Sequence, residues 1–184
     1  QEWVCNKILS VEGSHSSKIQ LQSHSENLVY FTGNPVKFLQ GHNLFGTNDI
    51  RHLMRLFFDK LLEQSPLGLC PDPFQYDLIQ DGHYELTRVD INESWHLNNS
   101  REVQAWIRAV GETAYLKHRG AGQFSGDTAY FGKNSRRWGL KCYSKGNEIK
   151  AKGHKLPPEL CTPDMLEYAD KSLRIEAFIR QLEL

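Results

Sequence analysis

The residues with the clearest chemical potential lie in Lys141-Cys142-Tyr143-Ser144-Lys145. Read as a strand from Arg136 to Lys145, the stretch puts Trp138, Leu140 and Cys142 on one face and Lys141, Tyr143 and Lys145 on the other, because successive side chains of a strand alternate. The first face is apolar and suits a core. The second holds a phenol between two ammonium groups, which suits a phosphate-bearing substrate better than an interior. The chemistry this allows is nucleophilic attack on a phosphodiester. A tyrosine phenol has an ordinary pKa of about 10, and neighbouring cations favour its phenolate. An ordinary cross-strand aromatic is the competing use of the same residue.

Two more predicted strands carry a polar stripe: Arg88-Asp90-Asn92 and Arg174-Glu176. As neighbours of the tyrosine strand in one sheet, they would bring two carboxylates beside Tyr143. Carboxylates with open positions suit Mg²⁺ or Mn²⁺, hard ions that prefer oxygen. Such an ion neutralises a phosphodiester and favours in-line attack. Asp90 and Glu176 are therefore the candidate metal ligands. The plainer use of the same residues is pairing of Asp90 with Arg88 and of Glu176 with Arg174 on an exposed sheet face.

The elements that must position these groups sit in a chain of 184 residues with 39 % hydrophobic and 24 % charged residues, a soluble globular profile. No apolar run approaches the ~20 residues of a membrane helix. The start, Gln1-Glu2-Trp3, has neither the basic residues nor the apolar run of a signal peptide, and the ending on Leu182-Glu183-Leu184 inside a predicted strand is what a longer parent protein would leave. Cys5, Cys70, Cys142 and Cys161 are scattered, so neither a zinc ribbon nor a disulfide framework is expected, and a reducing cytoplasm is the default compartment.

Net charge is zero, but its distribution is uneven. Between Lys133 and Lys155 stand Lys133, Arg136, Arg137, Lys141, Lys145, Lys150, Lys152 and Lys155 against the single acid Glu148. Interleaved with Phe131 and Trp138, this run suits single-stranded nucleic acid. Residues 70–85 hold Asp72, Asp77, Asp81 and Glu85 and no Lys or Arg.

Lys18–His24 and the β-formers from Asn27 to Leu39 predict strands, the second continuing into Leu39. Ile50, Leu53, Met54, Phe57 and Leu61 predict an amphipathic helix over 49–64. Pro66, Gly68, Pro71 and Pro73 mark a loop. His83–Glu93 reads as a strand. Asn99 or Ser100 caps a helix with Val103, Trp106, Ile107 and Val110 inward. Residues 127–132 and 138–145 pair as a hairpin, and 153–158 is a loop. Thr162-Pro163-Asp164 opens a helix, and Ser172–Leu184 is the last strand. The pattern predicts one α+β domain over residues 1–184, an antiparallel sheet with helices on its faces.

Val36-Lys37-Phe38-Leu39-Gln40-Gly41-His42-Asn43-Leu44-Phe45-Gly46-Thr47 closely resembles a phrase in the gene II/X replication initiation proteins of filamentous bacteriophages. Thr87-Arg88-Val89-Asp90, the stretch Thr162–Ala169 and Leu173-Arg174-Ile175-Glu176-Ala177 resemble that family in the same order. Tyr130-Phe131-Gly132 followed by Tyr143-Ser144-Lys145 is similar to the nucleophile segment of Rep_trans plasmid initiators. The resemblance implies an HUH-like endonuclease with a five-stranded antiparallel sheet, a divalent metal and Tyr143 as the attacking residue. The paired histidines of that class are absent, and Asp90 with Asn92 stands in their place. Ala114-Tyr115-Leu116-Lys117-His118 resembles the wording around the phage tyrosine, which makes Tyr115 a rival; Tyr130 is a third candidate. His42 either serves its own loop or reaches DNA or metal.

The expected activity is nicking and rejoining of one origin strand through a 5′-phosphotyrosine, which starts rolling-circle replication in the cytoplasm of a bacterial host. Lys145 would assist Tyr143 at the scissile phosphate. Lys133, Arg136, Arg137, Lys141, Arg88 and Arg174 would contact DNA. The expected partners are single-stranded or supercoiled origin DNA and the host helicase and polymerase, without a membrane, and the reading leaves room for a homo-oligomer. The rival classes are a non-catalytic module that stacks single-stranded nucleic acid and a phosphodiesterase that uses metal-activated water.

Overall fold

A computed structural model describes residues 8–25, 28–64, 69, 71–151 and 156–180. Two compact units divide the chain, residues 1–84 and 85–184. The expected loop over 153–158 and the end of the last strand fall partly outside the described residues.

The first unit opens with β1 (Leu9–Glu12), β2 (Lys18–Ser25) and β3 (Leu28–Thr32), an antiparallel sheet in that order. The expected strand through Leu39 is instead a helix, α1 (Pro35–Gln40). Val36, Phe38 and Leu39 are acceptable β-formers, but local capping decides against them. The Asn34 side chain accepts the Lys37 N–H at 3.0 Å, and Pro35 takes the first helical position, where its fixed φ is already helical. Gly41, at φ +82°, ends the helix in the left-handed conformation that glycine adopts freely.

Helix α2 (Ile50–Gln64) buries Phe57 and Leu61 of the predicted stripe and leaves Ile50 exposed. A helix that the sequence pattern does not predict, α3 (Pro73–Gln80), starts at the last of the loop markers and is opened by a reciprocal capping box between Asp72 and Gln75. Val11, Ile19, Leu21, Phe38, Phe57, Phe58 and Leu61 form this unit's core.

In the second unit, β4 (Arg88–His96) leads through an Asn99 cap into α4 (Ser100–Thr113). The short strands β5 (Tyr115–Leu116), β6 (Gly120–Ala121) and β7 (Gln123–Ser125) follow. Then come β8 (Thr128–Phe131), β9 (Trp138–Ser144), α5 (Lys145–Lys150), α6 (Pro163–Asp170) and β10 (Ser172–Arg180). The sheet is antiparallel and five-stranded, in the order β4-β10-β9-β8-β7, which is the expected α+β architecture.

One sheet face packs on α4, where Val103, Ile107, Ala129, Cys142 and Leu173 form the core. Trp106, expected inward, is 54 % exposed. The buried arc runs through Val103, Ile107 and Gly111 at spacings of four, and Trp106 lies about 100° around the helix from Ile107. Gly122 comes very close to that helix, because a Cβ built on it would lie 2.4 Å from the Gly111 carbonyl oxygen. Backbone cannot step aside as a side-chain tip can. Gly122→Ala is therefore expected to cost about 1–3 kcal/mol, read as a lower urea midpoint; an unchanged midpoint would contradict so tight an approach.

Candidate active site

The polar stripes meet on the face opposite α4. Across β4, β10 and β9 the register aligns Asn92 with Glu176 and Glu176 with Lys141, while Ser94, Arg174 and Tyr143 form the next row. Asp90 lies opposite Phe178, one step diagonal to Glu176. The three period-two stripes therefore share one sheet face, but of the two carboxylates only Glu176 stands on the strand next to Tyr143, since β10 separates β4 from β9.

Tyr143 is only 6 % exposed. Its hydroxyl donates to Glu176 Oε2 at 2.9 Å. Lys141 Nζ reaches the other oxygen, Oε1, at 2.6 Å and lies 5.1 Å from the Tyr143 ring centroid. Phenol, carboxylate and ammonium thus form one connected group on adjacent strands. Glu176 pairs with β9 and not with Arg174, the partner of the plainer sequence reading. Arg174, beside Tyr143 in the same row, is 2 % exposed and donates from Nε to Ser94 Oγ at 3.0 Å, so this candidate DNA contact is buried.

The phenol's electrostatics run opposite to the sequence expectation. Burial first, then the negative charges of Glu148 and Glu176, push the Tyr143 pKa well above its ordinary value, and Arg174 opposes them. A desolvated phenolate beside carboxylates is disfavoured, so the ground state is a neutral phenol held as a donor. Burial also pushes the Cys142 thiol up to about 11, which leaves it inert behind the sheet.

Lys145 is not the last residue of the strand but the first of α5, which Ser144 caps by accepting the Asn147 N–H at 3.2 Å. Its side chain is 1 % exposed and pairs with Glu148. In the sequence Glu148 stands out only as the one acid of a basic run. Ser144 before a short turn is the signal for the helix that carries Glu148 towards Tyr143.

Asp90 holds Arg88 in a two-pronged pair, Nε to Oδ1 and NH2 to Oδ2, both at 2.8 Å. That is the plainer sequence reading for this residue. Among the described residues no three His, Cys, Asp or Glu side chains cluster as a metal site. Asp90, Asn92 and the diagonal Glu176 nevertheless put hard oxygen donors on one face. Oxygen donors of this kind are what hard cations take, but Asp90 is held by Arg88, and the two Glu176 oxygens by Tyr143 and Lys141.

Arg136 and Arg137 are exposed in the turn before β9, and Lys133 Nζ lies 5.0 Å from the Tyr130 ring centroid. Six residue steps of extended chain separate Arg137 from Tyr143, about 20 Å. Lys150 pairs with Asp170 at 2.6 Å, and Lys152 and Lys155 lie outside the described residues. The rival Tyr115 is 74 % exposed in the small β5–β6 hairpin. Tyr130 lies opposite Lys141. In the first unit, His42 is buried and its Nδ1 accepts the Leu44 N–H at 3.3 Å, so it serves its own loop.

The profile of a family described as the N-terminal region of the replication-associated protein encoded by phage gene II matches residues 1–184. The chain is 37 % identical over 191 aligned residues to the replication-associated protein of this kind from Enterobacteria phage I2-2, covering all of this chain and 55 % of the relative. It is 28 % identical over 170 residues to the corresponding replication-associated protein of Enterobacteria phage M13, covering 83 % of this chain and 39 % of the relative. The chain thus spans about half the length of these curated relatives or less. No solved structure matches it. On the match across its whole length, the chain belongs to the family of N-terminal regions of phage gene II replication-associated proteins.

Proposed function

We propose that this chain is the nicking and joining region of a rolling-circle replication initiator, an HUH-like endonuclease in which Tyr143 attacks one strand of origin DNA. The observation that carries the reading is the Tyr143 hydroxyl held on Glu176 beside Lys141, on the sheet face that also carries Asp90 and Asn92. Membership of a replication-associated phage family supports it.

As the Tyr143 Oη–phosphorus bond forms, the hydroxyl proton passes to Glu176 Oε2. The 3′-oxygen leaves, takes a proton from water, and becomes a primer end for the host polymerase. The phosphotyrosine conserves the phosphodiester energy, so a later 3′-hydroxyl can reseal the strand with return of the proton to Tyr143. Lys141 stabilises the phosphate charge, and Lys145 holds Glu148 and the start of α5. Lys133, Arg136, Arg137 and Arg88 bind flanking backbone, while the buried Arg174 beside Tyr143 holds it in place. Asp90 and Glu176, with Asn92, would hold Mg²⁺ or Mn²⁺, which supplies charge neutralisation at the phosphate when bound.

A labelled oligonucleotide spanning the replicon's origin tests this on a denaturing gel. With Mn²⁺ the expected product is a shortened strand and a protein-linked strand. Chelation with EDTA is expected to suppress both by roughly 100-fold or more, with recovery on added Mn²⁺. Metal-independent binding without cleavage would favour the stacking module, and free 5′-phosphate ends without protein linkage would favour water as the nucleophile.

A further inference from the structure

The β5–β6 hairpin holds Tyr115 out in solvent, 74 % exposed. A single exposed aromatic is ordinary; the charge around this one is not. Between the end of α4 and the start of β9, residues 114–137 carry Lys117, Arg119, Lys133, Arg136 and Arg137 against the single acid Asp127. Lys117, Lys133, Arg136 and Arg137 are exposed and make no ion pair among the described residues.

The hairpin is anchored to the basic turn. Its tip passes through His118 at φ +67° and Gly120 at φ +80°, and the Arg119 N–H donates to the Leu116 carbonyl at 2.9 Å. The Arg119 side chain reaches across to the β8–β9 turn. Its Nε donates to the Trp138 carbonyl at 3.0 Å, its NH1 to the His118 carbonyl at 2.7 Å, and its guanidinium carbon lies 4.1 Å from the Trp138 ring centroid. Its stem crosses Gly132 so closely that a Cβ built there would lie 2.4 Å from the arginine Cδ. The planar donor fork thus ties the hairpin to both ends of the turn that carries Lys133, Arg136 and Arg137. An aromatic held out from a fixed support beside unpaired cations offers single-stranded nucleic acid a base stack and phosphate contacts together. A duplex keeps its base faces in its own stack and gives Tyr115 nothing to cover.

We propose that the β5–β6 hairpin is an arm for single-stranded DNA: Tyr115 stacks on an unpaired base of the origin strand, and Lys117 with the Lys133–Arg137 turn holds the neighbouring phosphates. Alternation along β9 puts Trp138 on the α4 side of the sheet and Tyr143 on the other. The two are five residue steps apart, about 17 Å, or roughly five stacked nucleotides. A strand on this path crosses the end of the sheet at the basic turn. The arm needs only a DNA partner; its place on a path to Tyr143 rests on the nicking reading and deepens it.

Fluorescence anisotropy of the whole chain tests this with labelled thymidine oligomers of roughly ten nucleotides, within the range of single-strand sites. Tyr115→Ala is expected to weaken binding roughly 5- to 150-fold, the worth of one stacked base, with no matching loss on a blunt duplex of the same length. Tyr115→Phe keeps the ring and should restore the affinity. Lys117→Ala should lower the slope of log affinity against log salt by about 0.7, one single-strand phosphate contact. Parent-like binding by Tyr115→Ala overturns the proposal, as does an equal loss on duplex, a Phe variant as weak as the Ala variant, or a salt slope untouched by Lys117→Ala. Tyr115-dependent binding without any covalent adduct on origin DNA sinks the nicking reading and leaves the arm standing; an adduct with binding that ignores Tyr115 does the reverse.

Discussion

Tyr143→Phe is expected to bind an origin oligonucleotide as the parent chain does and to form no covalent adduct with it. The substitution removes one oxygen. Phe fills the same space between Lys141 and Arg174, and the exposed cations Lys133, Arg136 and Arg137 are untouched. What disappears is the proposed nucleophile and the bond to Glu176 Oε2. Losing one partner of a buried hydrogen bond costs about 1–3 kcal/mol, which is a modest fall in melting temperature and not a loss of fold. Adduct formation should fall below detection on a denaturing gel. Adduct retained at the parent level would take Tyr143 out of the role and bring Tyr115 or Tyr130 forward.

Glu176→Ala is expected to damage both stability and chemistry. Glu176 joins Lys141 on one oxygen and Tyr143 on the other, and its neighbour on the strand face is the buried Arg174. Removing it leaves Lys141 and Arg174 without that negative charge. Breaking a buried pair from one side costs about 3–5 kcal/mol, and the lower end applies because Lys141 reaches solvent. Glu176→Gln separates the two effects. The amide keeps the shape and an acceptor oxygen, so the urea midpoint should fall less, while the group proposed to take the Tyr143 proton is gone. Adduct formation by Glu176→Gln is expected to drop roughly 100- to 10,000-fold, the usual worth of a positioned proton acceptor. A parent-like adduct rate in that variant would exclude Glu176 from the chemistry.

The parts of the site legible in the sequence are those set by alternation along a strand. Arg88-Asp90-Asn92, Lys141-Tyr143 and Arg174-Glu176 each keep period two, and the register of β4, β10 and β9 brings them to one face. The helix opened by Thr162-Pro163-Asp164 is legible for a related reason: cap, proline and first-turn acid all act locally.

The features that escape a linear reading depend on competition or on tertiary placement. At Val36–Leu39 the side chains favour a strand, but Asn34 and Pro35 start a helix before those preferences take effect. At Lys145 the alternation continues through a residue that already belongs to α5, because Ser144 caps it. Trp106 fits the apolar spacing but faces away from the sheet, a matter of which arc of α4 meets β8, β9 and β10. The position of Tyr143 between lysines predicts a phenol that ionises readily. Its burial and the approach of Glu148 from α5 reverse that, and neither is visible in a linear pattern. The most specific phrase of the family resemblance, around Gly41-His42-Asn43, builds a helix end and a loop in the first unit.

If Tyr143 is the attacking residue it becomes joined to DNA, and mapping the joined residue decides the matter. The chain is incubated with origin DNA and Mn²⁺, the DNA is trimmed by nuclease, the protein is digested, and the peptide that carries residual nucleotide is sequenced by mass spectrometry. The expected result is a nucleotide on the peptide containing Tyr143, on its phenolic oxygen. A nucleotide on Tyr115 or Tyr130, or an unmodified protein beside cleaved DNA, would contradict it.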